Sequence, residues 1–382
     1  MRVTRLRLKH FRNHTDTVLN FGEGINALLG RNGQGKTNVL EAISYLSLTK
    51  SFYAISDATV LQVGSTMFEV EGDITTDNNL DYTVRVAYTH HGEKVFTING
   101  TKPDTLASVI GRFPIVILSP ENSAITSGSP AERRNFLDLL LSQVSRTYLE
   151  DLLEFRRALK QRNKLLADAK AETFSRADLI EPWTASVIEH GARIIRQRAA
   201  FVRAFSPRVQ HAYRQLVARS FDMPEGEVPE LRYCSIEGAA TAQSLQEIVR
   251  SLEEEFAQRF AEERKRGTTL VGPHRDDVQL LLNGLSMQQF ASQGQHKTML
   301  VALKVAEFFY LLDRRSERPM MLLDDVFSEL DEDRARRLLD TVRTLGQTFI
   351  TTTDEGVFRG VIPWDGTHRR FTVEAGTVRI DA

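Results

Sequence analysis

The chain has 382 residues, 41% hydrophobic and 26% charged, with a formal net charge of -1. That length accommodates two domains, or one domain with a large insertion, and the neutral balance leaves any nucleic-acid surface to be a local one. No run of about eighteen apolar residues exists and the basic opening MRVTRLRLKHFRN has no apolar stretch behind it, so the expectation is a cytoplasmic chain with neither membrane span nor signal peptide.

Residues 2–9 alternate as a strand does, and Ile25 to Leu29 form a short apolar run. GRNGQGKT follows, and then the helical pattern NVLEAISYLSL. In DYTVRVAYT, residues 81–89, Tyr82, Val84, Val86 and Tyr88 share one face of a half-buried strand, and residues 94–99 are expected to pair with it. FPIVILSP, at 113–120, reads as a buried strand ending at a proline. The texture changes near Pro130, and from there to about residue 263 long helices dominate. RTYLEDLLEFRRALKQRNKLLADA and residues 183–216 both show helical spacing. A looser, proline-bearing piece, FDMPEGEVPELRYCSI, interrupts before a further helix. Its Cys234 is the chain's one cysteine; it can form no intrachain disulfide and reads as a small core residue. Strand patterns return at VQLLLNG, PMMLLDD and QTFITTTD, and RRFTVEAGTVRID reads as a hairpin turning at Ala375 and Gly376.

An α/β pattern is thus split by a helical block. Residues 1–130 and 264–382 are expected to form one body, with 131–263 as an inserted helical lobe. The neutral total hides an asymmetry in that block. Residues 151–215 carry 13 Lys/Arg against 7 Asp/Glu, a net of +6, whereas 221–263 carry 3 against 11, a net of -8.

Gly30 to Thr37 matches G-x-x-x-x-G-K-[ST] between an apolar strand and an amphipathic helix. Glycines let backbone N–H groups turn inward around phosphate oxygens, and the helix that follows points its positive dipole end at the same anion. In this motif Lys36 reaches the β- and γ-phosphates of ATP and Thr37 holds Mg²⁺. PMMLLDD is an apolar strand ending in two acids. Asp324 fits a second Mg²⁺ anchor; Asp325, pointing the other way, could orient or deprotonate an attacking water. Ser292, Gln293, Gly294 and Gln295 open a helical run, which on its own reads equally as a capped helix start or as a second anion site.

Nearly the whole chain separates the P-loop from the acid strand. That split, with SQGQ, resembles the ABC-type ATPase heads of the SMC and RecF kind. LRLKHFRNH, GRNGQGKTNVLEAI, SPAERRNFLD, TLVGPHRDD, SQGQHKT and LLDDVFSELD together resemble the RecF family over essentially the full length. The resemblance implies an α/β ABC-type P-loop ATPase head with an inserted helical lobe. It implies that Arg12 and Asn13 lie near the phosphates, which Asn32, Gly33, Gly35, Lys36 and Thr37 cradle, Gly30 opening the loop. Asp324 would serve Mg²⁺ and Asp325 hydrolysis. Ser292, Gly294 and Gln295 would contact ATP held by a second copy, with Glu329 and Asp331 in a loop crossing the dimer. An ATP-dependent homodimer on duplex DNA near single-strand gaps is implied, with RecR and RecO as partners in recombinase loading. Where many ABC proteins have a switch histidine, ITTTD has threonine, and Pro120-Glu121-Asn122 lacks the lid glutamine.

Other residues carry two readings. Arg133, Arg134 and Arg275 read as solvated or locally paired, and His274 as a structural hydrogen-bonder. The run Arg156, Arg157, Lys160, Arg162, Lys164 reads as a wet helix face. Arg156, Lys160 and Lys164 share one side and could track a phosphate backbone. The competing functional reading is a stand-alone P-loop small-molecule kinase, which would leave SQGQ and the split body unexplained. A transporter motor subunit is a third.

Overall fold

A computed structural model describes residues 1–171, 177–217 and 226–381. In chain order it forms β1 (Arg2–Phe11), β2 (His14–Asn20), β3 (Ile25–Leu29), α1 (Lys36–Leu48), β4 (Met67–Thr75), β5 (Asp81–Thr89), β6 (Lys94–Ile98) and β7 (Ile115–Leu118). A helical stretch follows: α2 (Ser123–Ser127), α3 (Pro130–Val144), α4 (Arg146–Ala171) and α5 (Ala177–Val217). Then come β8 (Pro229–Cys234), α6 (Leu245–Arg266), β9 (Asp277–Leu282), β10 (Leu285–Ser286), α7 (Met287–Phe290) and α8 (Gln293–Arg315). The chain finishes with β11 (Met320–Asp324), α9 (Glu332–Val342), β12 (Thr348–Thr352), β13 (Arg369–Glu374) and β14 (Thr377–Asp381). These pack as two units. The first is Met1–Ser123 with Arg214–Arg219 and Leu300–Ala382; the second is Ala124–Tyr213 with Ser220–Met299.

The first unit has two sheets. One runs β14-β13-β3-β12-β11-β7, with β13, β3, β12, β11 and β7 parallel and β14 antiparallel at the edge. Every residue of β3, β7, β11 and β12 is buried. Strands covered on both faces favour apolar runs, which is why β3, β7 and β11 stood out in the sequence, although β3 buries Asn26, β11 ends in Asp324 and β12 buries three threonines. The other sheet, β2-β1-β4-β5-β6, is antiparallel throughout. One face of it is a core of Leu6, Leu8, Phe68, Val70, Val84 and Val86. The other bears a charge ladder in which Arg5 meets Glu71 and Asp73, Arg7 meets Asp16, and Arg85 meets Glu69. Helix α1 packs against strands of both sheets. Its Leu46 lies so close to Gly72 that a Cβ there would sit 2.3 Å from Leu46 Cδ1.

In the second unit α4 buries Tyr148, Leu152, Phe155, Ala158, Arg162, Leu166 and Ala169, spaced three or four residues apart, the stripe of an amphipathic helix. Arg162 is therefore not on the wet face expected for it. It is 1% exposed, donates to Glu263 Oε2 at 2.6 Å, Thr269 Oγ1 at 2.8 Å and Thr184 Oγ1 at 2.9 Å, and lies over the Phe256 ring. The piece read as looser contains β8, which pairs antiparallel with β9 from Pro229↔Leu282 to Cys234↔Asp277. Proline is tolerated at the first residue of a strand, and it masked the alternation of buried Leu231 and Tyr233. Residues 221–225 of that piece lie outside the described residues. Cys234 is half-buried rather than a core residue. Among the described residues no helix is long and apolar enough to cross a membrane.

Candidate active site

The P-loop leaves the C-terminal end of β3 and enters α1. Gly33 has φ +79°, with open space where a Cβ would lie; Gly35 has φ +109°, and a Cβ there would meet Asn13 Oδ1 at 2.6 Å. The loop thus needs glycine at 33 for backbone conformation, and at 35 for conformation and close approach. Asn32, Gly33, Gly35, Lys36, Thr37, Asn38, Asp325 and Thr351 line a cleft of ≈ 270 Å³. Lys36 Nζ folds over the loop and donates to Gly30 O at 2.6 Å and Arg31 O at 2.9 Å. Burial lowers its pKa, opposed by the charges of Asp325 and Asp324.

β12 lies between β3 and β11, and the three parallel strands end on one edge. That order assembles the acidic side. Thr37 Oγ1 donates to Asp324 Oδ1 at 2.8 Å, and Thr351 Oγ1 donates to the same oxygen at 2.7 Å. The Asp325 N–H donates to Thr351 Oγ1 at 2.9 Å. Burial pushes the Asp324 carboxyl above its ordinary pKa, against the two hydroxyl donors and with help from the charges of Glu121 and Asp325. Asp325 has φ 48°, left-handed backbone, and its buried Oδ1 has no hydrogen-bond partner. A buried acceptor without a donor costs free energy unless a ligand, ion or water supplies one. A threonine hydroxyl and two carboxylates are the hard oxygen donors that suit Mg²⁺. Thr351, which bridges both acids, went unassigned in the sequence; it belongs to the ITTTD segment noted only for lacking histidine.

Asn13 lies against the P-loop, donating through Nδ2 to Gln34 O at 2.9 Å and accepting at Oδ1 from Asn38 Nδ2 at 2.7 Å. Arg12 forks onto Glu41, with Nε and Nη2 each at 2.9 Å, and does not line the cleft. Its guanidinium is already engaged by a carboxylate that also accepts from Ser51 Oγ.

The SQGQ segment lies in the second unit and forms a capping box at the start of α8. The Ser292 N–H donates to Gln295 Oε1 at 2.7 Å, and the Gln295 N–H donates to Ser292 Oγ at 3.2 Å. Gln295 Nε2 donates to Glu227 Oε1 at 2.6 Å. Ser292 and Gln295 thus cap the helix start, Gly294 O accepts from Thr298 Oγ1 at 2.9 Å in its first turn, and the hydroxyl proton of Ser292 is not used by the box.

Glu121, Glu329 and Asp331 belong to the first unit, where Asp331 caps α9 by accepting from the Arg334 N–H; Arg133, Arg134, Arg275, His274 and the basic run of α4 are in the second. Arg133 pairs with Asp277 at 2.8 Å, Arg134 Nη1 donates to Asp276 O at 2.6 Å, and Arg275 Nη2 donates to Thr269 O at 3.0 Å. His274 Nε2 also reaches Thr269 O, at 3.2 Å. Lys160 and Lys164 are exposed; Arg156 is exposed and pairs with Asp138 at 3.2 Å.

Residues 2–377 match the family model described as RecF/RecN/SMC N terminal domain. The "DNA replication and repair protein RecF" of Chloroherpeton thalassium is 44% identical over 94% of this chain and 97% of that protein. Its namesake from Salinibacter ruber is 39% identical over 97% and 90%. Among solved structures, the recombination mediator protein RecF-ATPrS in the RecFOR pathway superposes with a TM-score of 0.90 at 30% identity, covering 100% of this chain and 98% of that one. An SMC head bound to the C-winged helix domain of ScpA has a TM-score of 0.55 at 14% identity, covering 100% and 97%, a likeness of fold alone. The fold is that of an ABC-type ATPase head, and the chain belongs to the RecF family.

Proposed function

We propose that this chain binds Mg²⁺–ATP in the cleft between the P-loop and the Asp324–Asp325 pair, hydrolyses it slowly, and uses it to join two copies on DNA. The observation that carries the reading is the meeting of Thr37 with Asp324 at 2.8 Å beside the phosphate loop. In it, the backbone around Gly33 and Gly35 and the Lys36 ammonium hold the phosphates, and Thr37 and Asp324 hold Mg²⁺. Bound Mg²⁺ supplies neutralisation of charge on the phosphate oxygens. Asp325, with its unpartnered oxygen, orients the attacking water or takes its proton. Asn13 braces the loop from outside the cleft, and Arg12 approaches a phosphate only by releasing Glu41.

In the same reading residues 1–130 and 264–382 form the ATPase head and 131–263 the lobe, a division that differs from the packing, in which 124–130 and 264–299 belong to the second unit. Ser292, Gly294 and Gln295 contact ATP held by the second copy. The assembly binds duplex DNA near single-strand gaps, DNA stimulates turnover, and RecR and RecO join it in recombinase loading. The name of the relatives and the RecFOR setting of the RecF structures support this reading over a small-molecule kinase.

Substitution Ser292→Arg tests it. A bulky cation at the start of α8 should abolish ATP-driven dimerisation, read by light scattering, while ATP affinity of the monomer stays within about threefold. Loss of the cap itself costs only about 1 kcal/mol. Normal ATP-driven dimerisation of the variant would remove Ser292 from the interface. ATP-independent size together with phosphate transfer to a small acceptor would favour the kinase.

A further inference from the structure

The P-loop is gripped on its far side by two turns that do not line the nucleotide cleft. The first is the tip of the β13–β14 hairpin. The Ala375 N–H donates to the Gln34 side-chain Oε1 at 2.6 Å, and the Gly376 N–H donates to Gln34 O at 2.9 Å. The second is the β1–β2 turn, where Asn13 Nδ2 donates to the same Gln34 carbonyl at 2.9 Å. Fully buried His14 places Nε2 3.1 Å from Gly35 O and Nδ1 3.2 Å from Thr17 Oγ1; Thr17 in turn donates to Gly376 O at 3.1 Å.

These turns are in contact at the level of the main chain. A Cβ on Gly376 would lie 2.1 Å from Asn13 O, and one on Gly30 would lie 2.3 Å from Val373 O. Ala375 takes φ 47° and Gly376 φ 78°, the positive pair of a tight two-residue hairpin turn. Asparagine, aspartate or glycine usually fills the first of these positions; here alanine accepts the left-handed backbone, and its N–H is aimed at Gln34. Gln34 itself does not line the cleft, although its neighbours Gly33, Gly35 and Lys36 do. Its side chain is spent on the hairpin, and its carbonyl accepts from both turns.

We propose that Gln34 is a positioning residue, and that the Ala375–Gly376 hairpin tip is a clamp that pre-orders the Gln34–Gly35 peptide for phosphate binding. The proposal rests on the P-loop reading above. An ordered loop presents its N–H groups without an entropy cost at the moment of binding, so the clamp acts on nucleotide affinity more than on turnover.

The test is Gln34→Met, which keeps side-chain length and removes the acceptor oxygen. Three quantities are measured: Mg²⁺–ADP and Mg²⁺–ATP affinity by calorimetry, turnover at saturating ATP, and amide hydrogen exchange across residues 30–37 and 373–378. Affinity should fall about five- to tenfold, the scale of one lost hydrogen bond. Saturated turnover should stay within about twofold, and the amides of both segments should exchange faster. Gln34→Glu, which keeps an acceptor at the same reach, should restore the protection of the Ala375 amide. Gln34→Met with wild-type affinity and undisturbed exchange overturns the clamp, and so does a loss that appears only as lower thermal stability. A wild-type chain that binds neither nucleotide overturns the ATP-site reading instead, and the exchange data then decide the clamp by themselves.

Discussion

Thr37 and Asp324 stand 287 positions apart in sequence, yet the hydroxyl of one donates to Oδ1 of the other at 2.8 Å. Parallel strand order produces the contact: β3 and β11 flank β12, so the loop after β3 and the last residue of β11 meet on one edge. Asp324 is 4% exposed, and burial raises its pKa, so the carboxylate is held there at a cost to the fold. Asp324→Asn should therefore leave thermal stability equal or higher while weakening Mg²⁺-dependent ATP binding by roughly 10- to 100-fold, the scale of a charge-assisted contact. Affinities compared with Mg²⁺ and with EDTA isolate the effect. If the dependence on Mg²⁺ survives unchanged, the metal ligand lies elsewhere.

On α4, exposure and pairing now rank the basic residues. Lys160 and Lys164 are exposed, Arg156 is paired with Asp138, and Arg162 is buried against Glu263. Lys160→Ala and Lys164→Ala should each reduce the log–log salt slope of duplex binding by roughly 0.9, and Arg156→Ala by less. Arg162→Ala should instead destabilise the unit by about 3–5 kcal/mol, because it leaves Glu263 buried and unpaired. Slopes identical to wild type in the double lysine variant would assign α4 to ordinary solvated surface.

What could be read in the sequence followed from local chemistry. β3, β7 and β11 announced themselves because both of their faces are covered; Lys36 and Thr37 stood out by the glycine-loop motif and Asp324 by ending an apolar strand, and the structure brings Thr37 and Asp324 together. The burial of Arg162 was also latent there: residues 148, 152, 155, 158, 162, 166 and 169 keep helical spacing, but reading the basic run as a unit concealed it. Other features depend on pairing that no local pattern encodes. Thr351 bridges Asp324 and Asp325 only because β12 is inserted between β3 and β11. Gln34 meets Ala375 only because β13 pairs with β3, bringing together residues 341 positions apart.

His274 gives a pH dependence with a defined sign. Burial lowers its pKa from 6.5 to about 4, assisted by the charges of Arg275, Arg134 and Arg162, while the Thr269 carbonyl opposes the shift. Its Nδ1 is buried without a hydrogen-bond partner, which suits a neutral ring protonated at Nε2. Between pH 6.5 and about 4 the unfolded chain binds more protons at this site, so stability falls as pH drops through that window and levels off below it. The contribution reaches about 3 kcal/mol. Denaturant unfolding of wild type and His274→Gln at pH 7.5 and 5 should show a smaller acid loss in the variant. Equal losses would place the acid-sensitive group elsewhere.

Asp325 is the residue at which strain and an unsatisfied atom coincide. Its backbone is left-handed at φ 48° and ψ 29°, its N–H is tied to Thr351, and its buried Oδ1 has no partner. Asparagine, like aspartate, accepts left-handed backbone more readily than most other non-glycine residues, so Asp325→Asn should preserve the turn after β11. It keeps the size and an acceptor oxygen but cannot take a proton as a carboxylate does. Lys36, Thr37 and Asp324 remain, so Mg²⁺–ATP affinity should stay within about threefold of wild type. Turnover should fall about 10²–10⁴-fold, the usual loss when a positioned base is removed. If hydrolysis is the step that reopens the ATP-bound dimer, its dwell time on DNA should lengthen in parallel. Affinity, single-turnover hydrolysis and dwell time measured on the same preparation separate these effects. Near-normal turnover would pass the role of base to Glu121, whose charge already acts on Asp324, or to Glu329. A loss of ATP binding as severe as that of Asp324→Asn would show that both acids serve the metal, and the division of labour between consecutive residues of one strand end would be wrong.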